Sequence, residues 1–212
     1  MAKPIDLSSL DLAALIASRV CHDIISSVGA VTNGLEVLDE ENNKDMREFA
    51  MDLIRKSARQ ASAKLQFARL AFGAAGSAGA DIDLGDARSV AEGYMENEKS
   101  TLVWEVPRLL MGKNKVKLLL NLLLIANQCV PRGGTITVEL TNGDAEKPSF
   151  RMTAEGLNAR IPTMVINLIN DQDVERIDAH AIQPAYASLL AGDSNMSISM
   201  EKRDDSVVIT AE

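Results

Sequence analysis

Aromatic side chains are scarce in this 212-residue chain, at 3% of its residues with a single tryptophan. A core must therefore be assembled from Leu, Ile, Val, Ala and Met, within a hydrophobic share of 46% and a charged share of 25% that are ordinary for a soluble protein. Only two cysteines occur, Cys21 and Cys129, far apart and each in apolar surroundings. That excludes a disulfide framework and reads as two reduced core thiols of a cytoplasmic protein. Long apolar runs are missing as well. The longest, residues 116–126, is interrupted by Lys117 and Asn121 and falls short of the roughly 18–20 residues of a membrane span, so no membrane partner is expected. The N-terminus has no basic segment followed by an apolar stretch, so it is not expected to act as a signal peptide. Positive charge is in deficit, with a formal net charge of -8. Such a field repels phosphate backbones, so no nucleic-acid partner is expected. The densest basic stretch, Arg55, Lys56, Arg59 and Lys64, reads as the solvated face of a helix.

What is present is periodicity. Over residues 11–38, Val20, Ile24, Val28, Val31, Leu35 and Leu38 recur at steps of three and four and make one apolar stripe. A polar turn over 39–43 leads to a second helical pattern, 44–72, with Met46, Ala50, Leu53, Ser57, Ala61, Leu65, Ala68 and Phe72 on one face. Two long helices joined by a short turn form an antiparallel hairpin. One hairpin leaves half of its apolar stripe in water, whereas two hairpins paired into a four-helix bundle do not; a homodimer is expected. Residues 73–80, all Gly, Ala and Ser, read as a linker. Residues 81–212 alternate: helix over 84–99 with Asp83 as N-cap, strand over 101–106, apolar helix over 113–130, a hairpin of 135–140 with 149–154 turned near Asn142-Gly143, short helices over 163–170 and 184–190, and strands over 196–200 and 207–210. The fold class is therefore α+β: a helical hairpin over 1–72, the linker, and a sandwich of one sheet with helices on one face over 81–212.

His22 stands on the wrong side of the first helix for a core residue, roughly 160° from the stripe centre at 100° per residue. Its neighbours on that face are Ser18, Arg19, Ile25, Ser26 and Gly29, three of them small enough to let another protein approach and dock. Imidazole is the neutral-pH side chain that serves readily as a nitrogen nucleophile toward phosphorus. Arg19, one turn earlier, is placed to steady a phosphoryl charge.

The run CHDIISSVGAVTNGLEVL over 21–38 resembles the H-box of sensor histidine kinases, a His followed by an acid and then a long amphipathic stretch. The resemblance implies that His22 is phosphorylated and that Asp23 orients or deprotonates its ring. The proline many of those kinases hold five residues after the His is Ser27 here. The run NLLLIANQCVPRGGTITV over 121–138 likewise resembles their N-box helix and following strand. The family's metal-binding asparagine, four residues after Asn121, is replaced by Ile125, which offers a hard cation no oxygen. The usual basic residue is Gln128, and in the AEGLN run over 154–158 the adenine-reading Asp is Ala154 and the second Gly is Asn158. The Gly-rich phosphate loop is replaced by His180-Ala-Ile-Gln-Pro184, which cannot bring backbone N–H groups to phosphate in the same way. His180 reads as a loop or helix-start residue.

An H-box hairpin, a small-residue linker, the QFARLAFG ending of the second helix over 66–73 and an ATPase-like region without its nucleotide chemistry together resemble the ChpT-type histidine phosphotransferases of alphaproteobacteria. That resemblance implies a homodimer that takes a phosphoryl group from the receiver domain of a hybrid histidine kinase. It then passes the group to response-regulator receiver domains that control the cell cycle. It implies no cofactor and no metal held by this chain, the Mg²⁺ being supplied by the receiver. Two other readings compete: an active ATP-dependent kinase, against which Ile125 speaks, and a non-catalytic dimeric scaffold in which His22 is a bystander.

Overall fold

The computed structural model describes residues 7–40, 43–73, 81–143, 145–169 and 181–212. Residues 74–80 of the expected linker and His180 lie outside the described residues. In chain order the elements are α1 (Ser9–Glu40), α2 (Lys44–Ala71), β1 (Asp81–Asp83), α3 (Leu84–Met95), β2 (Ser100–Glu105), β3 (Leu110–Gly112), α4 (Lys113–Cys129), β4 (Gly134–Asn142), β5 (Ser149–Glu155), α5 (Thr163–Ile169), α6 (Ile182–Asp193), β6 (Ile198–Arg203) and β7 (Ser206–Ala211). The α+β architecture holds: a helical hairpin followed by a mixed sheet with helices.

Both hairpin helices begin on side-chain caps. The Ser8 hydroxyl accepts from the Asp11 N–H at 3.1 Å and donates to the Asp11 carboxylate at 2.5 Å. The Asn43 side chain accepts from the N–H of Asp45 and Met46, so each first turn has some of its orphan donors satisfied by a side chain. The seam between the helices is made of small residues seven apart, Ser27 and Gly34 on α1 facing Ala50 and Ser57 on α2, all buried. At Gly34 an added Cβ would stand 2.6 Å from Ile54 Cγ1, which is how closely the helices approach. The seam thus runs along one edge of the predicted stripe rather than down its middle. Ile24, Val31 and Leu38 flank it half-buried, while Val28 and Leu35 remain exposed.

The larger sheet has the order β2-β4-β5-β7-β6, with β2 parallel to β4 and the remaining pairs antiparallel. One face is apolar by strict alternation: Ile136 and Val138 on β4, Phe150, Met152 and Ala154 on β5, Val207, Ile209 and Ala211 on β7 are buried. α4 lies on this face and is covered in turn by other helices, so it is apolar nearly all round, from Val116 to Ala126. The edge strand β6 ends in Glu201, Lys202 and Arg203, charges that discourage pairing with another sheet. Three expectations are corrected. The helix expected over 84–99 stops at Met95, α6 begins at Ile182 rather than 184, and β1 pairs antiparallel with β3 in a two-stranded sheet that the sequence reading omitted. Asp83 does cap α3, accepting from the Gly85 N–H at 2.7 Å, and Arg108 beside it holds its carboxyl below the usual range.

The turn before β4 needs its glycines. Gly133 has φ +87° and Gly134 φ +153°, and a Cβ on Gly134 would sit 2.0 Å from the Glu155 carbonyl oxygen. Gly134→Ala is expected to destabilise the fold by about 1–3 kcal/mol. Gly192→Ala, at a helical position where a Cβ meets nothing within 4 Å, is expected to be neutral or slightly stabilising. Thermal denaturation of the two variants side by side checks this.

The end of α2 packs into the second unit. Phe67 is buried against Tyr94 of α3, ring centroids 4.6 Å apart, and the Ala71 carbonyl accepts from the Asn121 side chain of α4 at 3.1 Å. This packing brings α3 beside the middle of the hairpin.

Candidate functional site

His22 sits at mid-length on α1, its side chain 66% exposed. Of the residues predicted to share its face, Ser18, Ile25 and Ser26 are exposed, and Gly29 is half-buried with nothing within 4 Å of an added Cβ. Arg19 behaves differently. Its side chain is only 14% exposed, and its Nε donates to Asp23 Oδ2 at 2.9 Å, an i,i+4 ion pair along the helix. The other carboxylate oxygen, Oδ1, lies 3.5 Å from Nδ1 of His22. Asp23 thus stands between a guanidinium and the imidazole, with its side chain 20% exposed. That contact is longer than an ordinary hydrogen bond.

Two further residues reach this spot from distant parts of the chain. Lys64 of α2 donates its ammonium to the Asp23 carbonyl oxygen at 3.0 Å, so it is not the wholly solvated charge expected of its stretch. Tyr94 of α3 is half-buried, and its phenol is pushed up by desolvation and then by the charges of Asp23 and Glu98, Arg19 opposing. No local pattern singled out either residue. Lys64 lay within the noted basic stretch, but its partner is 41 positions away.

Cys21, next to His22, is exposed rather than a core thiol, because its position turns it off the seam toward the open side of α1. Cys129 is buried as expected, and burial pushes its thiol up to about 12.

The residues aligned with nucleotide-binding positions pack against each other. Asn121 is fully buried, its amide donating to the carbonyls of Ala71 and Lys117. Ile125 and Ala154 are fully buried. Gln128 donates to the Gln183 side-chain carbonyl at 3.0 Å, and Gln183 donates to the Asn121 main-chain carbonyl at 3.2 Å. Ile182, Gln183 and Pro184 form the buried first turn of α6 against α4. Asn158 has φ +61°, a left-handed conformation that asparagine tolerates best after glycine.

A family model, the histidine phosphotransferase C-terminal domain, matches residues 84–206. The chain is 53% identical over 213 residues to the protein phosphotransferase ChpT of Brucella abortus (strain 2308), with 100% of each chain covered. A bacterial phosphotransferase of solved structure superposes with a TM-score of 0.91 at 50% identity, over 99% of this chain and 99% of that one. With more than half of the chain matched by the family model and all of it aligned to a close relative, the chain belongs to the histidine phosphotransferase family.

Proposed function

We propose that this protein is a phosphorelay intermediate that carries a phosphoryl group on Nε2 of His22. The donor is an aspartyl phosphate on the receiver domain of a hybrid histidine kinase, and the acceptors are response-regulator receivers. The observation that carries this reading is an imidazole exposed in mid-helix with a carboxylate oxygen 3.5 Å from Nδ1. A proton kept on Nδ1 leaves the Nε2 lone pair to attack phosphorus. The P–O bond of the acyl phosphate breaks, its electron pair returns to the receiver carboxylate, and the phosphorylated ring, now cationic, is stabilised by Asp23. The reverse sequence discharges the group. Positioning and charge neutralisation do most of the work in such a transfer, and the receiver brings its own Mg²⁺. Ser18, Ile25, Ser26 and Gly29 form the docking face around the ring, with part of the second unit as a further contact. The test is incubation with a phosphorylated receiver. Acid-labile, base-stable label on this chain is expected, and its absence would favour the scaffold reading.

An ATP-dependent kinase activity is not part of this proposal. The packing of Ile125 and Ala154 and the Gln128–Gln183–Asn121 chain of hydrogen bonds join α4 to α6 where kinases hold nucleotide. We expect millimolar ATP with Mg²⁺ to leave the thermal midpoint unchanged and to label nothing. A Mg²⁺-dependent stabilisation by ATP would revive the kinase reading, since any ligand of the folded state raises stability by mass action.

The exposed apolar residues Val28 and Leu35 on α1 and Leu65 on α2 are read as part of the interface of a homodimeric four-helix bundle. α1 is also long and apolar enough, by length and composition, to cross a membrane. The bundle is preferred because Arg19, His22 and Asp23 lie mid-helix, where hydrocarbon is most costly for charge. On this reading the protein works in the cytoplasm with its receiver partners, and two cysteines without a disulfide support that.

A further inference from the structure

We propose that Arg19 is a positioning residue for phosphoryl transfer: it holds one oxygen of Asp23 so that the other faces Nδ1 of His22. The proposal rests on His22 as the phosphorylated residue. Its ground is the division of labour within one carboxylate, Oδ2 taken by the Arg19 Nε at 2.9 Å and Oδ1 turned to the ring at 3.5 Å. A solvated aspartate on a helix has several rotamers, and only some of them present an oxygen to the neighbouring side chain. Arg19 selects among them, and three features keep it in place. The i,i+4 spacing on a rigid helix sets the approach. The Arg19 side chain is mostly buried, at 14% exposure. Lys64 pins the Asp23 backbone from α2 through the carbonyl at 3.0 Å.

This differs from the role first suggested by the sequence, in which the guanidinium meets the phosphoryl group itself. A side chain committed to Asp23 and largely covered acts through Asp23. Its consequence is a choice of tautomer. With Oδ1 accepting from Nδ1–H, the proton stays on Nδ1 and Nε2 is the nucleophile. With the carboxylate free to turn away, the proton redistributes and a share of the imidazole carries it on Nε2, where it blocks attack. Carboxylates that orient metal-bound histidines in this manner are worth about 10–100-fold, so an effect of about tenfold on transfer is expected.

The experiment uses the full chain with Arg19→Gln and Arg19→Lys. Receiver-to-His22 transfer is followed in time, with receiver affinity measured separately. The tautomer of His22 is read from long-range proton–nitrogen spectra of ¹⁵N-histidine-labelled protein at pH 8, above the ordinary imidazole pKa of about 6.5. In the wild type the Nδ1–H form should dominate. Arg19→Gln should shift population to Nε2–H and slow transfer about tenfold, with receiver affinity unchanged. Arg19→Lys keeps a charged donor and should recover most of the rate. An unchanged transfer rate in Arg19→Gln overturns the proposal, even if the spectra shift. So does a loss of affinity that matches the loss of rate, which would make Arg19 a docking residue, and so do identical tautomer populations in wild type and Arg19→Gln. A wild type that takes no label from any receiver sinks the phosphocarrier reading instead, and is recognised by failing before any variant is compared.

Discussion

Replacing His22 with alanine is expected to abolish receiver-dependent labelling while leaving the fold, the oligomeric state and receiver docking nearly intact. The side chain is 66% exposed, so its removal opens no cavity, and exposed substitutions of this kind change stability by less than about 0.5 kcal/mol. No other side chain on that face replaces the lost nucleophile. Ser18 and Ser26 stand one turn away on either side, and a serine hydroxyl is weak without an adjacent base. Asp23→Asn should be milder toward transfer, since the amide oxygen can still accept from Nδ1–H. It has a second cost that the sequence alone would not suggest. It removes the charge opposite Arg19, a mostly covered guanidinium, so a loss of up to about 1–3 kcal/mol of stability is expected as well. A phosphotransfer time course with thermal melts for both variants separates the two effects. Label on His22→Ala would show that the phosphoryl group goes elsewhere.

Leu35→Asp is expected to convert a dimer into monomers at micromolar concentration. In the isolated chain Leu35 is 49% exposed, in line with Val28 about two turns away. Burial of that line against a second hairpin would place the new carboxylate between apolar surfaces with no partner. An uncompensated buried charge costs several kcal/mol, comparable to the whole stability of a small bundle. Asn33→Asp is the matched control, because Asn33 is exposed and lies on the His22 side of α1, away from the apolar line. Sedimentation of the three proteins decides the matter. A monomeric wild type, or a Leu35→Asp variant that remains dimeric, would require another partner for this surface.

The hairpin was legible because its pattern is long. Thirty-two residues of α1 and twenty-eight of α2 repeat the helical period often enough to override any single misplaced side chain. The β1–β3 pair was not legible because each strand has three residues, too few for alternation to register, and because their partnership spans the whole of α3 and β2. The stripe on α1 was read correctly as apolar but its division was not. Periodicity locates an apolar face, yet it cannot say which edge meets α2 and which stays open. That depends on the small residues Ser27 and Gly34, which carry little hydrophobic signal and allow the closest approach. Cys21 is exposed for the same reason, since it stands one heptad before Val28 and two before Leu35, on the edge of the stripe that α2 leaves open.

Local order along the chain was enough to determine the long helices, the Asp83 cap, the placement of His22 outside the core and the acid beside it, because each depends on residues within a few turns. The Arg19–Asp23 contact was within reach of the sequence too, as an i,i+4 pair of opposite charge. Only the tertiary structure decided what surrounds that pair. Lys64 arrives from α2 and Tyr94 from α3, and Gln183 joins Asn121 across 62 positions. These partnerships arise when Phe67 and Ala71 are drawn into the core around α4 and carry the hairpin against α3. Burial of apolar surface is non-directional. Which polar groups meet is settled only once the packed elements have fixed their geometry.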